Sequence, residues 1–364
     1  MMKRVLLIGL VVLFALDFLR AQSGRTKTYS ESSPQAEKTE IKPQTESEQN
    51  QTDSDDIIKI DTDLVIIPAQ ITDRKGRTIL DLKQAEFKIF ENGAEQEIAY
   101  FSNQEQPFTV ALVLDMSYSS VFKLQEIQAA AFAFVNQLRG GDKVMVVSFD
   151  ETVRVLCEPT DNRKVLKLAI EGANIGSGTS LYTALDLVLN EKFSRISGRK
   201  AVVLLSDGVD TSSKKLTSAD ILRSIGDNDA LIYPIKYDTY DDVQRNRKKN
   251  AEVLYDENDR PYTVEKPRQK GEREEDYRNA NEFLKELSAQ TGGSLYRVSS
   301  TTNLNQAFAK IADELRKIYS LGYYPSNPRQ MGVRYAVNVR VYRPNLKIRA
   351  KESYVWRKSV SKSQ

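Results

Sequence analysis

The spacing of hydrophobic residues changes several times along the chain and divides it into segments. In the stretch 57–104, short apolar runs are separated by glycine-containing turns at 73–76 and 91–93. Short runs joined by such turns are typical of antiparallel strands. Residues 57–104 are therefore predicted to form a small β segment.

Between residues 105 and 320 the pattern changes to strands that alternate with helices. A continuous apolar run, of the kind buried in a parallel sheet, occurs at 109–114, and further strands are predicted at 144–149, 201–205 and 231–235. Apolar residues at helical spacing occur in 124–138, 181–189, 218–225, 279–287 and 304–318. This alternation predicts an α/β domain, with a doubly wound, mostly parallel, Rossmann-like sheet.

Two segments depart from that pattern. Residues 238–276 are dense in charged side chains without apolar periodicity, which favours a solvated surface excursion over a binding element. Residues 321–364 return to strand character, with apolar and polar positions alternating in 333–342. We expect this C-terminal β segment to join residues 57–104 in one β module that flanks the α/β domain.

The N-terminus has the features of an export signal. Lys3 and Arg4 precede an apolar run over 5–19, so residues 1–21 are predicted to be a secretory signal segment. The run is short for a membrane span, yet an uncleaved signal that anchors the chain in a membrane is the alternative. Residues 22–56 are almost free of large apolar side chains and are predicted to be a disordered linker. The expected location is the periplasm or the exterior of the cell.

Composition excludes several functions. The chain has 53 basic and 50 acidic residues, a net charge of +3, and no long block of one sign, so nucleic acid is not an expected partner. It contains no histidine, which excludes Ser-His-Asp and Cys-His catalysis and the zinc sites that use imidazole. The single cysteine, Cys157, cannot form a disulfide within the chain.

Oxygen-bearing side chains follow the predicted buried strands. The first of these strands ends in a D-x-S-x-S pattern, at the sheet edge where open α/β folds bind ligands. Thr179 follows a Gly-Ser-Gly run just before a helix, and Asp207 directly follows another apolar strand. Carboxylates and hydroxyls are hard oxygen ligands that suit Mg²⁺. Because hydroxyls are weak neutral donors, such a metal attracts a further carboxylate, which an Asp or Glu of a partner protein can supply.

At these residues the sequence resembles the von Willebrand factor type A family, over about residues 105–320. The family's adhesion site is D-x-S-x-S, then Thr, then Asp, in that order. The resemblance implies that Ser117, Ser119 and Thr179 contact a metal, Mg²⁺ or else Mn²⁺ or Ca²⁺, while Asp115 and Asp207 do so directly or through water. It also implies a metal-dependent adhesion or protein-binding module rather than an enzyme. The flanking β segments resemble those of bacterial secreted proteins. Within the D-x-S-x-S motif, Tyr118 stands where the family often has a small residue.

Two alternatives remain open on the residues alone. Two carboxylates with Mg²⁺ could serve a metal-dependent hydrolase, although no Walker sequence and no histidine are present. The domain could also be a structural scaffold of the cell envelope whose metal site does not function.

Overall fold

The computed structural model describes residues 64–356. The predicted signal segment at 1–21, the linker at 22–56 and residues 57–63 lie outside the described residues. Within 64–356, no helix combines the length and the apolar content needed to cross a membrane.

Strands and helices alternate along most of the described chain. The strands are β1 (Val65–Asp73), β2 (Phe87–Glu91), β3 (Ala94–Gln96), β4 (Ile98–Ser102), β5 (Phe108–Asp115), β6 (Lys143–Phe149), β7 (Val153–Thr160), β8 (Arg199–Leu205), β9 (Leu231–Tyr237), β10 (Glu252–Tyr255), β11 (Pro261–Val264), β12 (Tyr296–Val298), β13 (Tyr319–Tyr323), β14 (Arg334–Val341), β15 (Leu346–Ala350) and β16 (Ser353–Val355). The α-helices are α1 (Leu124–Asn136), α2 (Arg163–Glu171), α3 (Leu181–Asp186), α4 (Ser218–Ser224), α5 (Tyr240–Lys249), α6 (Glu274–Thr291) and α7 (Thr301–Arg316).

The α/β domain is built on a six-stranded sheet in the order β12-β9-β8-β5-β6-β7. Five of these strands are parallel, and β7 at one edge runs antiparallel to β6. Helices α1, α2 and α7 cover one face, while α3, α4 and α6 cover the other. Every residue of β5 is buried because both faces are covered. The predicted fold class, a doubly wound and mostly parallel sheet, is confirmed.

Helix α6 is longer than its apolar periodicity predicts, since it covers Glu274–Thr291 rather than 279–287. Its first turn consists of acidic residues, which favour a helix N-terminus but leave no hydrophobic pattern to detect. The helix ends at Gly292, whose φ of 81° is the usual left-handed C-cap. The start of α6 therefore lies inside the charged insertion predicted for 238–276.

The β module joins the N-terminal and C-terminal segments. It consists of two four-stranded antiparallel sheets, in the orders β15-β1-β13-β4 and β16-β14-β2-β3. Buried residues of both sheets, such as Ile67, Ile89, Leu321 and Val337, form one core. Strand β13 lies between β1 and β4 and begins at Tyr319, so the last residues before the predicted boundary at 320 already belong to this module.

A buried polar cluster ties the β module together at Glu91. Its Oε2 accepts hydrogen bonds from the hydroxyls of Tyr323 at 2.6 Å and Tyr354 at 2.7 Å, and pairs with Arg329 at 2.5 Å. The guanidinium of Arg329 lies over the rings of Tyr354 at 4.9 Å and Trp356 at 5.1 Å. Each charge is thus compensated inside the module, as buried ion pairs require.

The charged insertion has its own structure: α5, then a hairpin of β10 and β11, then a loop that returns to α6. All residues of the hairpin are exposed, which fits the predicted surface excursion. The returning loop does not fit it, because residues 269–272 line the cleft described below. Arg247 of α5 fastens this loop: its guanidinium pairs with Glu272 and donates to the carbonyl of Lys266 at 2.6 Å. A mixed-charge segment can therefore pack through ion pairs where it lacks apolar periodicity.

Candidate metal-binding cleft

Three loops meet at the edge of the six-stranded sheet where β5 and β8 end, and hydrogen bonds tie them to one another. The backbone N–H of Gly176 donates to the carbonyl of Met116 at 2.8 Å. The hydroxyl of Ser206 donates to Asp115 Oδ2 at 2.6 Å. The N–H of Thr211 donates to the carbonyl of Thr179 at 2.9 Å. The loop after β5, the loop before α3 and the loop after β8 therefore form one framework.

Both predicted aspartates are buried and held in place. Asp115 Oδ1 accepts the backbone N–H of Ser117 at 3.0 Å, in addition to the bond from Ser206. Asp207 accepts the backbone N–H of Val209 at 2.9 Å and the hydroxyl of Thr239 at 2.5 Å. Neither carboxylate can swing out to solvent without losing these bonds.

The predicted hydroxyls face a cleft of about 300 Å³. Ser117, Ser119, Thr179 and Asp207 line it, and the hydroxyls of the two serines lie 3.0 Å apart. Asp115, fully buried, lies behind Ser117 and is connected to it by the hydrogen bond described above. The structure thus brings together all five residues that the sequence singles out, with four of them at the cleft surface.

The electrostatics of the two aspartates fit a cation. Burial, and next the negative charge of Asp207, raise the pKa of Asp115 to about 7. Burial also raises the pKa of Asp207, although the hydrogen bonds from Thr239 and Val209 oppose this. Burial disfavours the ionised form of both carboxylates, and a divalent cation beside them would compensate their charge, so this donor set fits such an ion.

The donor set is rich in hydroxyls rather than in acids. In the described part of the chain, no three or more His, Cys, Asp or Glu side chains cluster as metal ligands would. The cleft instead combines two carboxylates with three hydroxyls, all oxygen donors. A cation held there would retain much of its positive charge, because hydroxyls neutralise none of it.

A glycine gives the Thr179 loop its path. Gly178 has a φ of 68°, in the left-handed region that other residues rarely adopt. A Cβ at this position would lie 2.3 Å from the hydroxyl of Ser212. That hydroxyl accepts the backbone N–H of Thr179 at 3.1 Å, so the glycine allows the contact that positions Thr179.

Several residues of the site were not predicted from the sequence. Ser206 bonds Asp115, and its only local signal is its position beside Asp207. Thr239 bonds Asp207 and lies 3.2 Å from the hydroxyl of Tyr277, both far along the chain from the motif. These partners depend on tertiary contacts that a motif does not reveal.

One side of the cleft comes from the insertion and from α6. Tyr118, with 57% of its surface exposed, borders the cleft beside the serines. Val243 of α5, Tyr277 of α6 and the returning loop 269–272 also line the cleft. The insertion therefore takes part in the site, contrary to the prediction that it is only a surface excursion.

One family model matches the part of the chain that runs from β5 to the loop after β8. Residues 110–209 match the family model of the von Willebrand factor type A domain. This range includes all five predicted metal ligands. The chain therefore carries a von Willebrand factor type A domain.

Individual relatives are more distant. A UPF0353 protein from Mycolicibacterium gilvum is 24% identical over 225 residues, which cover 57% of this chain and 60% of that protein. The chain thus spans about 60% of the length of this curated relative. A von Willebrand factor type A structure from Catenulispora acidiphila is 12% identical, with a TM-score of 0.42, and the match covers 82% of this chain and 74% of that one. Proximal thread matrix protein 1 from the mussel byssus, with a zinc-occupied MIDAS motif, is 16% identical with a TM-score of 0.42, over 63% and 50% of the two chains.

Proposed function

We propose that this chain is a metal-dependent protein-binding module that works outside the cytoplasm. In this proposal Asp115, Ser117, Ser119, Thr179 and Asp207 hold a divalent cation, with Mg²⁺ favoured over Mn²⁺ or Ca²⁺. A partner protein then supplies an Asp or Glu carboxylate to the cation. The observation that carries the proposal is the convergence of these five residues, from three separate loops, on one cleft.

The five proposed ligands would hold a cation in different ways. Ser117, Ser119 and Thr179 would offer neutral oxygens at the cleft surface, and Asp207 would offer a charged one. Asp115 would act from behind, where it orients Ser117 and adds negative charge. When bound, the cation supplies an electron-poor centre that attracts an anionic ligand.

Binding is favoured over catalysis by the side chains around the cleft. The hydroxyls of Ser117 and Ser119 lie 3.0 Å apart, and the chain contains no histidine to activate either as a nucleophile. The carboxylates of Asp115 and Asp207, which could accept a proton, are already engaged by hydrogen bonds from the surrounding loops. Metal-dependent hydrolysis of simple phosphate or ester substrates, lost in Asp115→Ala, would contradict the proposal.

Titration calorimetry with Mg²⁺ and Mn²⁺ tests the metal site. We expect heat of binding for the wild type and none for the double variant Ser117→Ala with Thr179→Ala. The matched control removes the same two hydroxyl types from exposed positions, Ser299→Ala with Thr302→Ala, and should bind like the wild type. Absence of heat in the wild type, or unchanged heat in the first double variant, would favour a structural scaffold instead.

The proposed location outside the cytoplasm rests on residues 1–21 and has its own test. We expect the full chain, expressed in a Gram-negative host, to be released by osmotic shock or to be found with membranes. Deletion of residues 2–21 should leave it in the cytoplasm. Cytoplasmic retention of the full chain would contradict export while leaving the metal site unaffected.

A further inference from the structure

We infer that the insertion selects the partner of the cleft. Its returning loop 269–272, here called the wall, places Lys270 where it binds a second acidic group next to the one at the metal. The expected ligand is a narrow protruding segment, such as a tight loop, that carries two acidic side chains close together. This inference rests on the proposed function and adds to it the kind of partner.

The wall is firmly attached to the rest of the domain. The side-chain amide of Gln244 donates to the carbonyl of Glu272 at 2.9 Å, and Arg247 pairs with the carboxylate of the same residue. The backbone N–H of Gly271 donates to Asp276 Oδ2 at 2.8 Å, which connects the loop to the first turn of α6. A loop held from both α5 and α6 has a defined position at the cleft.

The wall also touches the loop that carries Asp207. Gly271 has a φ of 89°, and a Cβ on it would lie 2.7 Å from Thr211 Cγ2. Thr239, at the start of the insertion, bonds the Asp207 carboxylate, and Tyr277, just after the end of the insertion, lies 3.2 Å from the Thr239 hydroxyl. The insertion and the proposed metal site are therefore in direct contact.

Lys270 gives the wall its charge. It is the only cationic side chain among the described residues that line the cleft. Its ammonium lies 3.7 Å from Asp210 Oδ1, while that carboxylate already accepts the backbone N–H groups of Tyr182 and Ser213 at 3.0 Å each. The Lys270 side chain is 60% exposed, and an ammonium has three donors, so it can bind a further anion.

The negative charge of the wall itself, on Glu272, is already paired with a cation other than Lys270. Glu272, the only other charged residue of the loop 269–272, is paired with Arg247 inside the insertion. A cleft of about 300 Å³ is at the lower limit of small-molecule pockets, and admits side chains from a thin segment rather than a flat surface. One proposed divalent cation and one ammonium in such a cleft fit two neighbouring carboxylates.

Two cyclic peptides provide the probe: one with a single aspartate among glycines, and one with Asp-Gly-Asp in the same ring. Affinity is measured by surface plasmon resonance in Mg²⁺ and in chelator. We expect the two-aspartate peptide to bind the wild type roughly two to five times more tightly, within the range for one partly exposed ion pair. Lys270→Glu should abolish or reverse this preference. Lys249→Glu makes the same charge change on an exposed part of the insertion and should retain it.

The outcomes separate the inference from the proposed function. If neither peptide binds the wild type, or binding is equal in chelator, both the proposed function and the inference fail. If binding requires Mg²⁺ but the two peptides bind equally, or Lys270→Glu keeps the preference, only the inference fails. Unchanged Mg²⁺ heat in Lys270→Glu shows that the variant is folded and that its metal site is intact.

Discussion

The buried pair Asp115 and Asp207 makes a quantitative prediction about stability. Replacing Asp115 by asparagine keeps an acceptor for the backbone N–H of Ser117, but puts an amide donor where a carboxylate oxygen accepts the Ser206 hydroxyl. It also removes a charge that is unfavourable without metal. In chelator at about pH 8, we expect Asp115→Asn to be more stable than the wild type, because the carboxylate must ionise in a buried position. In Mg²⁺ we expect the stability advantage of the variant to shrink, since the variant loses a proposed ligand and gains less from the metal.

The magnitude follows from the pKa. A rise in the pKa of Asp115 from 3.8 to about 7 corresponds to an upper limit of roughly 4 kcal/mol. A folded-state pKa above the unfolded value gives stability that is fully present below pH 3.8 and lost as the pH rises to about 7. The stabilising effect of Asp115→Asn should therefore be about 2 to 4 kcal/mol near pH 8 and fall towards zero near pH 4.

Urea denaturation at a series of pH values, in chelator and in Mg²⁺, measures both effects. The difference in unfolding free energy between variant and wild type cancels the contributions of titrating groups that Asp115 does not affect. Asp161→Asn changes an exposed aspartate and should show no such pH-dependent difference. Mg²⁺ at about 100 times its dissociation constant should stabilise the wild type by about 2.7 kcal/mol. Identical pH profiles of wild type and Asp115→Asn, or equal stabilisation of both by Mg²⁺, would refute the reasoning.

Three further substitutions test other parts of the molecule. Glu91→Ala leaves Arg329 buried without its partner and should cost about 3 to 5 kcal/mol of unfolding free energy; a loss below 1 kcal/mol, on the scale of an exposed pair, would contradict the described burial. Phe308→Ala removes a fully buried ring of α7 and should cost about 3 to 5 kcal/mol in the same denaturation assay, whereas the exposed Leu168→Ala should have little effect. Gly271→Ala strains a left-handed position by about 1 to 3 kcal/mol and pushes the wall away from the cleft. It should weaken binding of the two-aspartate peptide while Mg²⁺ heat is retained, and unchanged peptide affinity would contradict the role of the wall.

Much of the α/β domain is visible in the sequence because its strands are buried on both faces. The apolar stretches that end at Leu114 and at Leu205 are each followed directly by polar residues at the sheet edge. Their parallel pairing puts the carboxyl ends together, so the motif alone predicted which loops would meet. The β module was predicted from different signals: short apolar runs joined by glycine-containing turns in residues 57–104, and alternation of apolar and polar positions in 333–342.

What the sequence did not reveal depends on contacts between distant segments. Strand β13 follows α7 closely, and its position between β1 and β4 is fixed only by pairing with residues more than two hundred positions earlier. The wall at 269–272 contains no apolar residue and is held by the ion pair between Glu272 and Arg247. A search for hydrophobic patterns cannot detect packing of this kind. Thr239 has no motif of its own and acquires its role only because β9 delivers it beside Asp207.

The β module pairs strands from before and after the α/β domain, and this has a consequence for the order of folding. Strands β1, β2 and β4 find their partners β13, β14 and β15 only after the entire α/β domain has been synthesised. Closing a loop of that length is slow and entropically costly unless the intervening residues fold first. The α/β domain is thus expected to fold before the β module and to bring its two halves together, while the apolar faces of β1 and β2 stay exposed to aggregation or to a chaperone until the last strand emerges.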